Sequence, residues 1–287
     1  MKTALCTIST QNHLFKSFAL FDSVRKYSDT DLFCLVTDAT EEKQHENIHF
    51  HFLSDLVSPT AQQLKKKYKG DKLRWSLKSI YVQFLLETEN YDAVIYVDND
   101  IYFFSSPDFL FQKLQQSDFL LTPHFYRANP QKNQNWLEAN FRVGLYNAGF
   151  FGATKAAQPL LDWWAKCCLY EMKKSYWRGL HDDQKYLDLA PIIFDNVLII
   201  KYKGCNLAGW NDENFVKEEQ PIVFVHFAAL TMERWRQTLH PLHDFYEEYL
   251  QALRHYRPEF QWKKKRFSVL YWRNVIYYLR WKFFTSI

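Results

Sequence analysis

Apolar and polar positions alternate along this chain with two periods, and the switches between them mark its elements. KTALCTI (2–8) reads as a buried strand. NHLFKSFALFDSVRKY (12–27) repeats apolar residues at 14, 18, 21 and 24, the spacing of one helical face. DLFCLVTD (31–38) and IHFHFL (48–53) read as the second and third strands, and the lysine-rich AQQLKKKYKG (61–70) as a solvated helical stretch. KLRWSLKSIYVQFLLE (72–87) predicts a helix with Leu73, Leu77, Ile80, Tyr81 and Phe84 on one side, and DAVIYVDND (92–100) a fourth strand. Strands that alternate with helices build a mainly parallel sheet covered on both faces, so the fold class is α/β.

Beyond residue 104 the alternation loosens. SPDFLFQKL (106–114) predicts a short helix, DFLLTPH (118–124) a strand, and 123–146, rich in Asn, Gln and Pro, a long irregular loop. YNAGFFGA (146–153) is a glycine-punctuated strand and 156–173 an amphipathic helix. NVLII follows as a strand, GCNLAGWN (204–211) as a polar loop, and PIVFVHF (221–227) as a last core strand ending at a histidine. A helix is expected over 240–256, and a basic, aromatic segment over 262–287.

The 287 residues fit one large domain, placed at 1–258, with 259–287 as a tail. Only 7 Gly and 9 Pro leave little material for disordered linkers. The opening MKTALCTIST has too short an apolar run for a signal peptide. The 5 cysteines are odd in number and lack CxxC spacing, which points to reduced core thiols and a cytoplasmic protein. Net charge is +4, but seven Lys and Arg and no acid fall in 263–287, leaving 29 bases against 32 acids elsewhere. A mildly acidic domain argues against a nucleic-acid enzyme, whose basic surface would belong to the domain itself.

The candidate chemistry begins in VIYVDNDIYFF (94–104), where Asp98 and Asp100 interrupt an apolar run. In an extended strand their Cα atoms would lie roughly 6.6 Å apart on one side. Two such charges repel by about 2.5 kcal/mol at an effective dielectric near 20. Either one is protonated or a cation sits between them. The ends of strands are where open α/β sheets place ligands, and a divalent cation held there would in turn hold a diphosphate. His226, ending PIVFVHF, is the candidate third ligand if its strand lies near the fourth; two carboxylates and an imidazole suit Mn²⁺ somewhat better than Mg²⁺. Arg74 and Lys78 could add a second cation or simply lie on a solvated helix face. Asp182 of HDDQKYLDL would make a sound N-cap for the helix that follows.

With KLRWSLKSIYVQFLLE, YDAVIYVDNDIYFF, LLTPH, LYNAGFFGA, HDDQKYLDL, GCNLAGWN and VHF in this order, residues 2–235 resemble bacterial nucleotide-sugar glycosyltransferases of the GT-A fold. Among these the chain is similar to the galactosyltransferase and glycogenin-like retaining enzymes. The resemblance implies that Asp98, Asp100 and His226 take the metal, with Asn99 between them, and that Thr7, Ile8, Arg74 and Lys78 lie near the nucleotide-sugar. It implies that Asp183 and Gln184 face the acceptor and the anomeric carbon, and that Asn147, Gly149 and Asn206 shape the sugar pocket. The chain departs from the pattern at Asn99, where relatives often carry a small residue or proline, and at Ala228-Ala229, where many carry Ser-Gly. The expected reaction is transfer of a sugar, with retention, from a nucleoside diphosphate, UDP in the first instance, to a glycan or glycolipid. Two competitors are a phosphohydrolase with an aspartate nucleophile, which usually carries D-x-D on the first strand, and a non-catalytic sugar-binding protein.

The tail WKKKRFSVLYWRNVIYYLRWKFF repeats arginine at 266, 273 and 280, along one helical face. No uncharged stretch between Arg273 and Arg280 exceeds six residues, too few to span a bilayer, whereas bases among interfacial aromatics suit an anionic membrane surface. A peripheral location on the inner face of the membrane is the expectation, the alternative being a helix packed on the catalytic domain with its arginines in solvent. The intact protein is therefore expected to bind anionic vesicles in a salt-sensitive manner. Deleting 262–287 should abolish that binding and spare hydrolysis of a soluble donor; equal binding by the truncated chain would refute the assignment.

Overall fold

A computed structural model describes residues 1–39, 45, 47–126, 129–131, 134–215 and 221–262. The tail from 263 onward, and with it the proposed surface helix, lies outside the described residues. The strands are β1 (Thr3–Ser9), β2 (Asp31–Val36), β3 (His49–Phe52), β4 (Ala93–Val97), β5 (Ile101–Phe103), β6 (Phe119–Pro123), β7 (Tyr146–Thr154), β8 (Val197–Ile199) and β9 (Phe224–His226). Seven of them form one sheet in the order β3-β2-β1-β4-β7-β6-β8. All run the same way except β7, which is antiparallel to both β4 and β6.

Side-chain alternation explains why β1 and β4 are apolar at nearly every position. Ala4, Cys6 and Ile8 of β1, with Val94 and Tyr96 of β4, enter the cluster that contains Leu64, Leu85 and Trp164 of the covering helices. Leu5, Ala93, Ile95 and Val97 face the opposite cluster, with Leu20, Val24 and Leu110. Burial on both faces is the ordinary state of parallel strands. The chain proceeds from β1 to one side of the sheet through β2 and β3, and then returns to β4 on the other side. The carboxyl ends of β1 and β4 therefore flank the switch point where such sheets hold ligands.

Several expected boundaries moved, each for a local reason. The fourth strand stops at Val97, and Asp98 to Asp100 form a turn in which the Ile101 N–H bonds the Asp98 carbonyl at 3.0 Å. The strand spacing expected for the two aspartates is therefore not kept. PIVFVHF does not join the main sheet: β9 pairs antiparallel with β5, setting His226 opposite Ile101. The helix expected over 72–87 is two, Gly70–Ser76 and Lys78–Glu87, joined at Leu77 (φ −92°, ψ −3°). The supposed loop 123–146 contains the short helix Gln134–Arg142, in which Ala139 alone is buried. Asp182 does not cap a helix. It adopts φ +48° and pairs with Lys174 at 3.2 Å, and the next element is the 3₁₀ turn Gln184–Leu189, which has no side-chain cap.

A third apolar cluster joins Tyr102 of β5 and Val225 of β9 to Trp235 and to Tyr249 of the helix His243–Tyr256. Phe260 and Trp262 pack against it, with the Phe260 and Phe15 rings 5.2 Å apart. Truncation of the tail is thus best made after Trp262. All five thiols are free, as expected.

Candidate active site

The turn after β4 and the end of β9 converge. Asp98, Asp100 and His226 each bring one ligand atom within 4.8 Å of the others, and His226 Nε2 lies 3.1 Å from Asp100 Oδ1. The Asp98 N–H bonds the Gly149 carbonyl at 2.8 Å, extending the β4–β7 ladder, while the Phe227 N–H bonds the Asp100 carbonyl at 2.7 Å. The Tyr96 hydroxyl donates to Asp98 Oδ1 at 2.8 Å. Burial opposes charge on both partners of the Asp100–His226 pair. The imidazolium nevertheless holds the Asp100 carboxyl far below the usual carboxylate range, and the carboxylates raise His226 above the ordinary histidine value.

This donor set fits a divalent cation. Two carboxylates and an imidazole converge, and His226 Nδ1 is buried with no hydrogen-bond partner. Gly149 keeps the facing strand bare: a Cβ there would fall 2.5 Å from Asn147 Oδ1, 2.6 Å from His226 Cε1 and 3.0 Å from Asp98 Oδ2. The glycine is required by the crowding of these groups and not merely by strand packing.

Lys78, the first residue after the helix break, is 3% exposed. Its Nζ lies 3.1 Å from Asp98 Oδ1 and 3.3 Å from Asp183 Oδ2, and it donates to the Ala148 carbonyl at 3.0 Å. Burial disfavours the ammonium, but the charges of Asp183 and Asp98 prevail and keep it protonated. Burial also pushes the Asp183 carboxyl up, against the pull of Lys78. Asp183 Oδ2 is enclosed, and its ion pair with Lys78 is the contact that holds it.

Two cavities open on either side of the cluster, with Trp75, Asp98 and His226 lining both. One, of about 160 Å³, is walled by Lys78, Asn147, Gly149, Asp183 and Gln184. The other, of about 300 Å³, is walled by Ile8, Lys16, Arg74, Asn99 and Asp100. The Asn99 amide donates to Ser9 Oγ at 3.0 Å, tying the turn to the end of β1. Arg74 is ion-paired with Asp71. Thr7 and Asn206 are wholly buried and line neither cavity. Asn206 (φ +59°) instead shapes the loop whose Leu207 carbonyl accepts the His226 N–H at 2.8 Å. Lys16, His13 and His124 escaped the sequence reading. Lys16 reads as part of a solvated helical face, and only its closeness to the end of β1 could have marked it.

His124 acts through Asn147. Its Nδ1–H donates to the Gly144 carbonyl at 2.9 Å, so Nε2 accepts from the Asn147 amide at 3.2 Å, while Asn147 Oδ1 accepts the Gly149 N–H at 2.7 Å. The imidazole must be neutral for this chain of bonds. Burial, with the nearby His226 and His181 adding to it, pushes its pKa down to about 3.

No protein-family model matches the chain. It is 27% identical over 285 residues to the uncharacterized protein YfnF of Bacillus subtilis (strain 168), covering 87% of this chain and 92% of that one. Among solved structures it resembles mouse xyloside xylosyltransferase 1 in its apo form, with a TM-score of 0.52 at 13% identity, covering 80% of this chain and 99% of that one. It also resembles the galactosyltransferase LgtC in complex with donor and acceptor sugar analogues, with a TM-score of 0.50 at 13% identity, covering 94% and 99%. At these identities the likeness is one of fold, and the fold is GT-A.

Two outcomes are expected. Gly149→Ala should weaken Mn²⁺ binding at least tenfold in a calorimetric titration, with a stability loss of about 1–3 kcal/mol from overpacking; unchanged Mn²⁺ affinity would contradict the crowding. His124 titrates lower folded than unfolded, so its contribution is complete above pH 6.5 and is lost as pH falls toward 3. The stability difference between wild type and His124→Gln, from urea unfolding, should be largest at pH 7. It should shrink by about 1.4 kcal/mol per pH unit below 6.5.

Proposed function

We propose that the chain is a metal-dependent glycosyltransferase that moves a sugar from a nucleoside diphosphate, UDP in the first instance, to a glycan or glycolipid acceptor. The observation that carries this reading is the Asp98–Asp100–His226 cluster at the switch point, with a cavity on each side of it. The GT-A fold, shared with the galactosyltransferase LgtC, adds to it.

Asp98, Asp100 and His226 would hold the divalent cation, Mn²⁺ or Mg²⁺. When bound, it supplies charge neutralisation to the departing diphosphate, worth several kcal/mol. Ile8, Arg74 and Asn99 line the side assigned to the nucleotide. The sugar and the acceptor hydroxyl take the side of Asn147, Gly149, Asp183 and Gln184. Lys78 pairs with both Asp98 and Asp183, and the Asp183 carboxylate, on the wall of the smaller cavity, is assigned to the acceptor hydroxyl. The Gln184 amide nitrogen donates to the Val143 carbonyl at 3.3 Å, which orients its amide against the cavity. Retention is the course favoured by the resemblance; an inverting course would use Asp183 as the base. Among the described residues no helix is long and apolar enough to cross a membrane. The segment 263–287 is assigned to an anionic membrane surface, where a glycolipid acceptor would be met.

Nucleotide-sugars screened for thermal stabilisation with and without Mn²⁺ test the donor assignment. A ligand at 100 times its Kd should add about 2.7 kcal/mol. Asp98→Asn and Asp100→Asn should each abolish transfer with the fold intact, and full activity in EDTA would overturn the metal assignment. Phosphate release from simple phosphomonoesters would favour a hydrolase instead. Asp183→Asn should reduce turnover by about 100-fold or more with donor affinity near wild type; unchanged turnover removes Asp183 from the site.

A further inference from the structure

Charge around the cluster is nearly balanced before any donor arrives. Asp98, Asp100 and Asp183 are three carboxylates, and Lys78 with a divalent cation offsets them. The two negative charges of a nucleoside diphosphate-sugar then require cations from the larger cavity. Besides His226, three bases line it: His13, Lys16 and Arg74. Arg74 is engaged by Asp71. His13 shares a 2.8 Å hydrogen bond between Nδ1 and Thr10 Oγ1, and burial, with the charges of Lys16 and Arg74 adding to it, favours its neutral form. The segment after His226 offers no base until Arg234, which is bound to Asp212 at 3.2 Å and to the Gly209 carbonyl at 3.0 Å. Lys16 remains, one helical turn beyond His13, on the wall of the same cavity as Asp100 and close enough for its charge to act on that carboxylate.

We propose that Lys16 is a diphosphate-binding residue: its side chain, on the first turn of the helix Leu14–Arg25, lines the same cavity as the Asp98–Asp100–His226 cluster, and its ammonium takes a phosphate of the donor. The inference rests on the reading of the site as one for a nucleoside diphosphate-sugar. The cavity walls on the two sides then have separate tasks. The cluster would hold the phosphates through the metal, and Lys16 directly by its charge. Because the same ammonium repels a bound cation, its removal should have opposite effects on the two ligands, which a purely structural role would not produce.

The test is calorimetric titration of the full chain with Mn²⁺ alone, and with UDP, UMP and uridine in the presence of saturating Mn²⁺; GDP, ADP and CDP replace UDP if it does not bind. Lys16→Ala should weaken nucleoside diphosphate binding about tenfold (about 1.4 kcal/mol), leave uridine unchanged, and leave Mn²⁺ binding equal or tighter. Lys16→Arg should restore most of the affinity. Lys66→Ala, the same charge change at an exposed residue outside both cavities, should have no effect. Binding of a nucleoside diphosphate with equal affinity by wild type and Lys16→Ala would overturn the inference while sparing the donor site. So would equal losses in Lys16→Ala and Lys66→Ala, or loss of Mn²⁺ and nucleotide binding together. Failure of wild type to bind any nucleoside diphosphate would overturn the donor assignment, and the role of Lys16 with it.

Discussion

Two carboxylates, Asp98 and Asp183, share one buried ammonium, and much of the site is arranged around that contact. Lys78 has three partners from separate parts of the chain: the turn after β4, the Ala148 carbonyl of β7, and the segment leading into Gln184–Leu189. A lone buried charge costs several kcal/mol, whereas a charge with three good partners is tolerable. The break at Leu77 sets Lys78 at the start of a largely buried helix. Trp164 secures the third partner, its indole N–H donating to the Asp183 carbonyl at 2.9 Å.

The sequence was legible where chemistry and periodicity agreed. Asp98 and Asp100 stood out because acids are costly within an apolar run, and His226 because it ended another such run. Their convergence was correctly anticipated, although by the wrong geometry. The aspartates sit in a turn, and β9 reaches them through β5 without entering the main sheet. What was hidden depends on local angles or on distant partners. Nothing in WSLKS announces the bend at Leu77, and nothing in HDDQ distinguishes a capping aspartate from one turned to φ +48° toward Lys174. Thr7 and Asn206 lie close to the site in sequence terms, yet their side chains are enclosed away from both cavities.

β7 shows how one strand of reversed direction can serve both scaffold and site. Between β4 and β6 it completes the sheet, while its first residues carry Asn147 and Gly149 to the cluster. The neutral His124 fixes the Asn147 amide, and that amide fixes the Gly149 N–H. The strand can approach the cluster so closely because it presents hydrogen there instead of a methyl group.

The pairing of β5 with β9 also imposes an order of events during synthesis. Asp100 leaves the ribosome 126 residues before His226, as their positions give. At roughly 5–20 residues per second this is an interval of roughly 6–25 s. β1 to β4 can meet in that time, but the third member of the donor cluster arrives only when β9 docks. The emerging chain thus carries two acids, one on each side of Asn99, with an incomplete coordination sphere, and full ligand capacity coincides with the pairing of β9 with β5. A nascent or truncated chain that ends before β9 would have the crevice without its histidine.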